Sequence, residues 1–269
     1  MKKFLLSVAL FLTGAIFLNA QIMDMVPVEG GTFYMGNDYA TSKDEGPEHK
    51  VAVSSFAIGK HEVTFEQFDV FCASTGWKKP DDAQLGRGKK PVMNVSWESA
   101  VMYCNWISKI DGLDRCYTIS RDSLATVVIC NFDANGYRLP TEAEWEFAAK
   151  GGNKAKGYAY SGGNVADEVM WYASNSKGVP HEVGNKKPNE LGIYDMSGNV
   201  REWCWDLYTK DYYKKSPEDN PTGPEKGIRR VFRGGGWSFQ ENKMRITARG
   251  AMGSNKSYGS IGFRVVKKQ

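Results

Sequence analysis

The chain has 269 residues, a formal net charge of +4 at pH 7 and 25% charged residues. A charge so close to neutral argues against nucleic-acid binding, which usually requires a clustered basic face. Twenty-nine glycines and 13% aromatic residues, with few long periodic stretches, favour a loop-rich domain over a helical bundle or a barrel.

The N-terminus has the three parts of a secretory signal peptide. A basic start at residues 1–3 precedes an apolar run over residues 4–18, and the small residue Ala20 comes before Gln21. The run is shorter than the roughly 18 residues of a membrane helix. We therefore expect a signal peptide at 1–20, one domain at 25–267, and a protein that is secreted or periplasmic and not membrane-spanning. An N-terminal anchor helix is the alternative, and a lipid anchor is not expected because no cysteine follows the run.

Three helices are predicted from their caps. Thr64 and Thr141 each begin a capping box, in which a Thr side chain and the side chain three residues later exchange hydrogen bonds with the backbone. Ser96 is the predicted cap of the helix between them. Apolar residues recur at helical spacing after each cap. Gly151 follows the third helix as its stop.

A hairpin is predicted between the second and third helices, where β-branched residues are frequent. Cys116 and Cys130 lie symmetrically about Ser123 in this segment, so the two thiols could face each other, and export would permit a disulfide. Cys104 lies on an apolar helical face and is expected to be a small buried residue. The polar segment 206–229 is expected to be a long surface loop. The predicted class is α+β with much irregular structure.

Seven strings of residues carry a resemblance to a known family. One of them reads Gly198-Asn199-Val200-Arg201-Glu202-Trp203, and together they occupy residues 26–36, 62–64, 91–97, 137–146, 189–203, 233–237 and 261–264. In content and order they resemble the sulfatase-modifying-factor, or formylglycine-generating enzyme, family. The resemblance covers nearly all of the mature chain. It implies the family's compact, loop-rich α+β domain, which is related to C-type lectins.

The enzymes of that family oxidise a substrate cysteine to formylglycine with copper held by two cysteines. Carried over to this chain, the first cysteine position is Phe239 and the second falls near Lys243 or Met244, while Gly236 replaces a serine of the turn. A phenyl ring cannot bind a metal, and a single thioether does not replace two thiolates for a soft cuprous ion. We expect no catalytic residues and no copper here.

A second branch of the family consists of iron-dependent sulfoxide synthases, which need a set of histidines. Only His49, His61 and His181 occur in this chain, and they lie far apart. The additional helical domain of that branch is also missing. We therefore expect no iron.

The resemblance implies one structural calcium ion. Its ligands would be the side chains of Asp195 and Glu202 and the backbone carbonyls of Gly198 and Val200, because calcium prefers several oxygen ligands. The alternative is a site without metal, in which Asp195 caps a turn and Glu202 pairs with an arginine such as Arg201.

Four further residues are predicted to mark a binding cleft. Trp237 and Phe239 lie in the altered turn, and aromatic rings of this kind bind sugars or peptides, although for Trp203 and Trp237 a place in the core is the favoured alternative. Arg245 and Arg249 follow the turn. They would either meet an anionic ligand or form buried salt bridges with Glu144 or Glu202, and the sequence leaves both open.

Two functions are compatible with these residues. The first is an exported, non-catalytic member of the family that binds a protein or glycan surface as part of an envelope assembly. The second is a sulfatase-modifying oxidase, which would need a thiolate or histidine cluster that becomes visible only in the fold. A cluster of such side chains within metal-bridging distance would distinguish them.

Overall fold

The computed structural model describes residues 23–40, 42–121 and 126–269, so the predicted signal peptide lies outside the described residues. This part of the chain contains runs of consecutive strands with the helices grouped between them, which confirms the α+β prediction. The α-helices are α1 (Phe65–Thr75), α2 (Trp97–Ile110), α3 (Glu142–Lys150) and α4 (Ala166–Val169). Within the same ranges, each helix is too short or too polar to cross a membrane.

The first three helices begin at the predicted caps. The side chains of Thr64 and Thr141 accept hydrogen bonds from the backbone N–H groups of Gln67 and Glu144, and both capping boxes are complete. Ser96 caps α2 in the same way. Local side-chain chemistry therefore determines where these helices start.

The strands are short and form two larger sheets and two hairpins. They are β1 (Met25–Val28), β2 (Gly31–Met35), β3 (His49–Val53), β4 (Phe56–Gly59), β5 (Tyr117–Arg121), β6 (Thr126–Cys130), β7 (Tyr137–Arg138), β8 (Arg201–Leu207), β9 (Arg230–Arg233), β10 (Arg249–Met252), β11 (Ile261–Gly262) and β12 (Val266–Lys268). One four-stranded sheet has the order β1-β4-β12-β7 and the other the order β10-β9-β8-β11. The two-stranded sheets are β2-β3 and β5-β6.

Helix α3 packs between the strands and is almost completely buried. Trp145 and Phe147 of this helix belong to one hydrophobic cluster, together with residues of β2, β3 and β4. A second cluster surrounds α1 and α2 and contains Trp97 and Trp203, which are both about 1% exposed or less. Trp203 is therefore a core residue, as the sequence favours.

Cys116 and Cys130, the candidate disulfide pair, do not lie directly opposite each other. The β5–β6 register places Cys130 opposite Tyr117, one residue away from Cys116. Because neighbouring residues of a strand point to opposite faces, this offset separates the two thiols. The Cys116 thiol instead donates to the carbonyl of Gly136 at 3.2 Å, and all five cysteines of the chain are free.

The polar segment 206–229 begins differently from the prediction. Asp206 lies within β8 and is 2% exposed. Its buried carboxylate accepts a hydrogen bond from the N–H of Glu142 at the start of α3. After Leu207 the chain is irregular, apart from a 3₁₀ turn at Tyr212–Lys214, until β9 begins.

Candidate functional site

The turn after β9 is shaped by close packing against glycines. Gly234 and Gly235 have φ angles of +92° and +72°, a region that favours glycine. A Cβ atom at Gly235 would lie 2.3 Å from the sulfur of Met244, so the thioether occupies the space beside the backbone. Met244 is 0% exposed. The thioether is thus a packing group, and the position near which the enzymes carry a second cysteine is filled.

A shallow, open groove with a volume of about 830 Å³ lies against this turn, and we call it the turn cleft. Its lining residues come from the turn itself and from one neighbouring loop, and they are Tyr160, Ser238, Phe239, Gln240, Glu241, Asn242, Lys243 and Arg245. The hydroxyl of Tyr160 donates to the carboxylate of Glu241 at 2.9 Å. Burial, together with that carboxylate, raises the pKa of Tyr160 to about 12. The hydroxyl therefore stays protonated at neutral pH and holds Glu241 at the rim.

Two of the four predicted cleft residues line the turn cleft. Phe239 contributes a half-buried ring. Arg245 forms an ion pair with the buried carboxylate of Glu45 through two hydrogen bonds of 2.6 and 2.7 Å. Trp237 is partly buried and lies outside the lining, where its indole N–H donates to the carbonyl of Gly259 at 3.2 Å.

Arg249 belongs to an internal ion-pair network behind the turn. Its guanidinium pairs with Glu142 of α3, with an Nε–Oε1 distance of 2.8 Å. Arg233, the last residue of β9, contacts Glu142 and pairs with Glu146. Arg245 and Arg249 therefore form salt bridges, but with partners other than the two that the sequence suggests. The network fixes the strand end from which the turn begins.

Arg201 is a residue at this site that the sequence analysis did not assign to the cleft. It starts β8, and its guanidinium carbon lies 3.6 Å from the centre of the Phe239 ring and 4.8 Å from that of Phe232. Burial lowers the pKa of Arg201 to about 10. The Phe239 ring thus both lines the turn cleft and contacts the Arg201 guanidinium. The sequence contains one signal for this placement. Arg201 precedes Glu202 in a strand, and alternation directs the two side chains to opposite faces.

No thiol lies at the turn. Cys72, Cys104, Cys116 and Cys204 are buried and Cys130 is half-buried, all within the hydrophobic interior. Burial raises the pKa of the Cys104 and Cys204 thiols well above the ordinary value, which opposes thiolate formation.

The histidines also lie apart from the turn, each against a different aromatic ring. Their ring partners are Tyr213 for His49, Tyr194 for His61 and Trp171 for His181. Across residues 23–40, 42–121 and 126–269, no three His, Cys, Asp or Glu side chains are grouped so that they could hold a metal ion. The cluster that the oxidase hypothesis requires is not found in this part of the chain.

The residues predicted to hold calcium fit that role only in part. Both carboxylate oxygens of Glu202 are engaged by Arg264, at 2.6 and 2.7 Å, and the indole N–H of Trp145 donates to one of them. Glu202 therefore has little capacity left for a metal ion. Asp195 differs, because one carboxylate oxygen accepts from the N–H of Gly184 at 2.7 Å and the other, also buried, has no partner among the described residues.

Glu62 adds a third buried carboxylate to this neighbourhood. It accepts hydrogen bonds from the Asn199 side chain at 2.9 Å and from the N–H of Val200 at 3.1 Å. Burial, followed by the charges of Asp195 and Glu202, raises the pKa of Glu62 well above its ordinary value, and burial raises the pKa of Asp195 to about 6. The open oxygen of Asp195 is the feature that fits calcium binding.

Comparison with known proteins now identifies the family. Residues 16–269 match the sulfatase-modifying factor enzyme 1-like domain. The chain belongs to this family. It is 37% identical to the chaperone protein LppX of Paenibacillus barcinonensis over 91% of this chain and 90% of the relative. It is 28% identical to the formylglycine-generating enzyme of Streptomyces coelicolor over 89% and 87% of the two chains.

Solved structures of this family share the fold. Treponema denticola variable protein 1 superimposes with a TM-score of 0.79 and 31% sequence identity, over 91% of this chain and 95% of that one. The family resemblance in the sequence is therefore confirmed. Because this chain is similar both to a formylglycine-generating enzyme and to a protein named a chaperone, membership of the family does not by itself determine its function.

Proposed function

We propose that this protein is a non-catalytic member of the sulfatase-modifying factor family that binds polypeptide through the turn cleft. The observation that carries the proposal is the loss of metal-binding side chains from the turn: by the family resemblance Phe239 stands at the first thiolate position, and the second falls near Lys243 or Met244, where the buried Met244 thioether packs on Gly235. The cleft beside them stays open, with a half-buried phenyl ring and a polar rim. An apolar ring set among polar and charged side chains offers both packing and hydrogen-bond partners to a polypeptide.

A second observation favours polypeptide as the ligand. The relative that is 37% identical over nearly its full length is named a chaperone, and chaperones bind other proteins. Glycan binding, the other ligand class suggested by the aromatic residues, would use exposed ring faces. One face of Phe239 is covered by Arg201, which leaves less ring surface for a sugar.

Export and calcium are proposed on separate grounds. The basic and apolar segments of residues 1–20 support a secreted or periplasmic protein, which agrees with a role in envelope assembly. One structural calcium is proposed at Asp195, with the carbonyls of Gly198 and Val200 as its neighbours in the ligand set. Calcium would stabilise the segment from Asp195 to Val200 by neutralising the buried carboxylate of Asp195.

The proposed function is tested by measuring binding and oxidation on the same preparation. We expect the protein to slow the aggregation of a chemically denatured model protein, and Phe239→Ser to abolish most of this effect. Ile129→Ser is the matched control, because Ile129 is 63% exposed on β6 and does not line the turn cleft. Both variants should unfold at the temperature of the wild type.

Oxidation is followed with copper, oxygen and a cysteine-containing peptide, by mass spectrometry of the peptide. We expect no conversion of the thiol to an aldehyde. Conversion at a rate that depends on added copper would contradict the proposal and restore the oxidase alternative. Equal activity of Phe239→Ser and the wild type against aggregation would show that the turn cleft is not the binding surface.

A further inference from the structure

Arg201 carries a charge that is not neutralised by any described residue. Its guanidinium lies between the rings of Phe232 and Phe239, with distances of 4.8 and 3.6 Å from the guanidinium carbon to the ring centres. It takes part in none of the salt bridges or side-chain hydrogen bonds formed within residues 23–40, 42–121 and 126–269. A half-buried cation without an anion is costly unless a ligand supplies one.

The other buried arginines have polar partners within the protein. Each fully buried guanidinium has a carboxylate partner, in the pairs Arg138–Glu144, Arg233–Glu146, Arg249–Glu142 and Arg264–Glu202. Arg230, which also lies over aromatic rings, donates to the carbonyl of Trp205 at 2.5 Å. Arg201 therefore differs from these arginines, because neither a carboxylate nor a hydrogen-bond acceptor among the described residues contacts its guanidinium.

We propose that Arg201 binds the carboxylate of an acidic side chain in a polypeptide that occupies the turn cleft. This inference rests on the proposed function and specifies which peptides the cleft prefers. A planar guanidinium can form two parallel hydrogen bonds to a carboxylate, and flanking aromatic rings hold its plane in place. The shared ring of Phe239 joins this anion site to the cleft.

The charges around the cleft support an acidic ligand. Arg245 is neutralised by Glu45, and the one carboxylate at the rim, Glu241, accepts a hydrogen bond from Tyr160. Lys243 adds an exposed positive charge to the same lining. With Arg201 and Lys243 opposing Glu241, the surface is complementary to a negatively charged segment. The apolar rings beside the guanidinium favour a peptide in which the acidic residue has apolar neighbours.

The test uses two fluorescein-labelled peptides with blocked ends. One contains a single glutamate between leucine and phenylalanine residues, and the other has glutamine at that position. Fluorescence anisotropy gives the dissociation constant of each peptide for the wild type, Arg201→Gln, Arg201→Lys and Arg229→Gln. Arg229 is an exposed arginine, so its variant carries the same charge change away from the site. Thermal unfolding establishes that each variant is folded.

For the wild type we expect about tenfold tighter binding of the glutamate peptide, the size of a charge-assisted hydrogen-bonded pair. Arg201→Gln should bind both peptides equally, Arg201→Lys should keep part of the preference, and Arg229→Gln should keep all of it. Added salt should reduce the preference, because screening weakens the ion pair.

Three results would overturn the inference, and they differ in what they say about the proposed function. A wild type that binds both peptides with equal affinity contradicts the role of Arg201 and leaves polypeptide binding intact. A preference that persists in Arg201→Gln places the anion site elsewhere. Binding of neither peptide, with tight binding of an acidic oligosaccharide instead, contradicts the inference and the proposed function together.

Discussion

Arg264 and Glu202 form an ion pair with two hydrogen bonds in the interior, with Nε–Oε2 and Nη2–Oε1 distances of 2.6 and 2.7 Å. Both side chains are 0% exposed. The pair joins β8 to the segment between β11 and β12, and Arg264 also donates to the carbonyls of Gly59 and Tyr194. One guanidinium thus connects several separate parts of the chain.

Removing the guanidinium should destabilise the protein strongly. Arg264→Met leaves Glu202 buried without its partner, next to the carboxylates of Glu62 and Asp195, and we expect a loss of about 3–5 kcal/mol in the free energy of unfolding. Urea denaturation followed by tryptophan fluorescence measures this loss. Lys50→Met is the control, because Lys50 and Glu218 form an exposed pair and its removal should not change the transition measurably. A small effect of Arg264→Met would contradict the importance of the buried pair.

Asp206 should make stability depend on pH. Burial, followed by the charge of Glu142, raises the pKa of Asp206 to about 8 in the folded protein, above an unfolded value near 3.8. A group whose folded pKa is raised contributes stability below the unfolded pKa and loses that contribution as the pH rises through the folded pKa. The free energy of unfolding of the wild type relative to Asp206→Asn should therefore fall between about pH 4 and pH 8 and level off above.

The Asn side chain is a suitable comparison because it keeps an acceptor for the N–H of Glu142. Charges that face Asp206 from the packed elements, those of Glu142, Glu144 and Arg249, are the same in both proteins. A difference that rises with pH, or that is constant over the whole range, would show that Asp206 does not titrate as expected.

The five cysteines should all react as thiols. Alkylation in denaturant without reductant should add five labels, and prior reduction should not change this number. In the native state Cys130 should react before the others, because it is the half-buried one. Three labels without reductant and five with it would demonstrate a disulfide that the β5–β6 register does not accommodate.

Calcium should stabilise the protein through Asp195. At a free concentration of one hundred times the dissociation constant, one bound ion adds about 2.7 kcal/mol to the free energy of unfolding. Asp195→Ala should abolish this gain, whereas Asp133→Ala, at a carboxylate that is 93% exposed, should not. Thermal unfolding with calcium and with chelator measures the difference. Identical unfolding temperatures in both conditions would contradict a structural calcium ion at Asp195.

Local features of the fold could be predicted from the sequence, and long-range pairings could not. The helix starts follow from Thr64, Ser96 and Thr141, because a cap depends on residues within one turn. The relative placement of Cys116 and Cys130 could not be predicted, because symmetry about a turn does not fix the register of two strands. Register depends on which side chains the rest of the domain buries.

The candidate site could be predicted in part for the same reason. The positions of Phe239 and Arg245 follow from the family pattern of the turn, and both line the cleft. The partners of the charged residues do not follow from spacing: Glu202 pairs with Arg264, 62 residues away, and not with its neighbour Arg201. Alternation along β8 directs the side chains of Arg201 and Glu202 to opposite faces, so the two do not pair.

Hydrogen–deuterium exchange with and without the bound glutamate peptide locates the peptide-binding surface. We expect peptide binding to slow exchange of the backbone amides in residues 236–245 and at the start of β8, and to leave the β5–β6 hairpin unchanged. Protection confined to other surfaces, with unchanged exchange in residues 236–245, would contradict the claim that the turn cleft is the polypeptide-binding site.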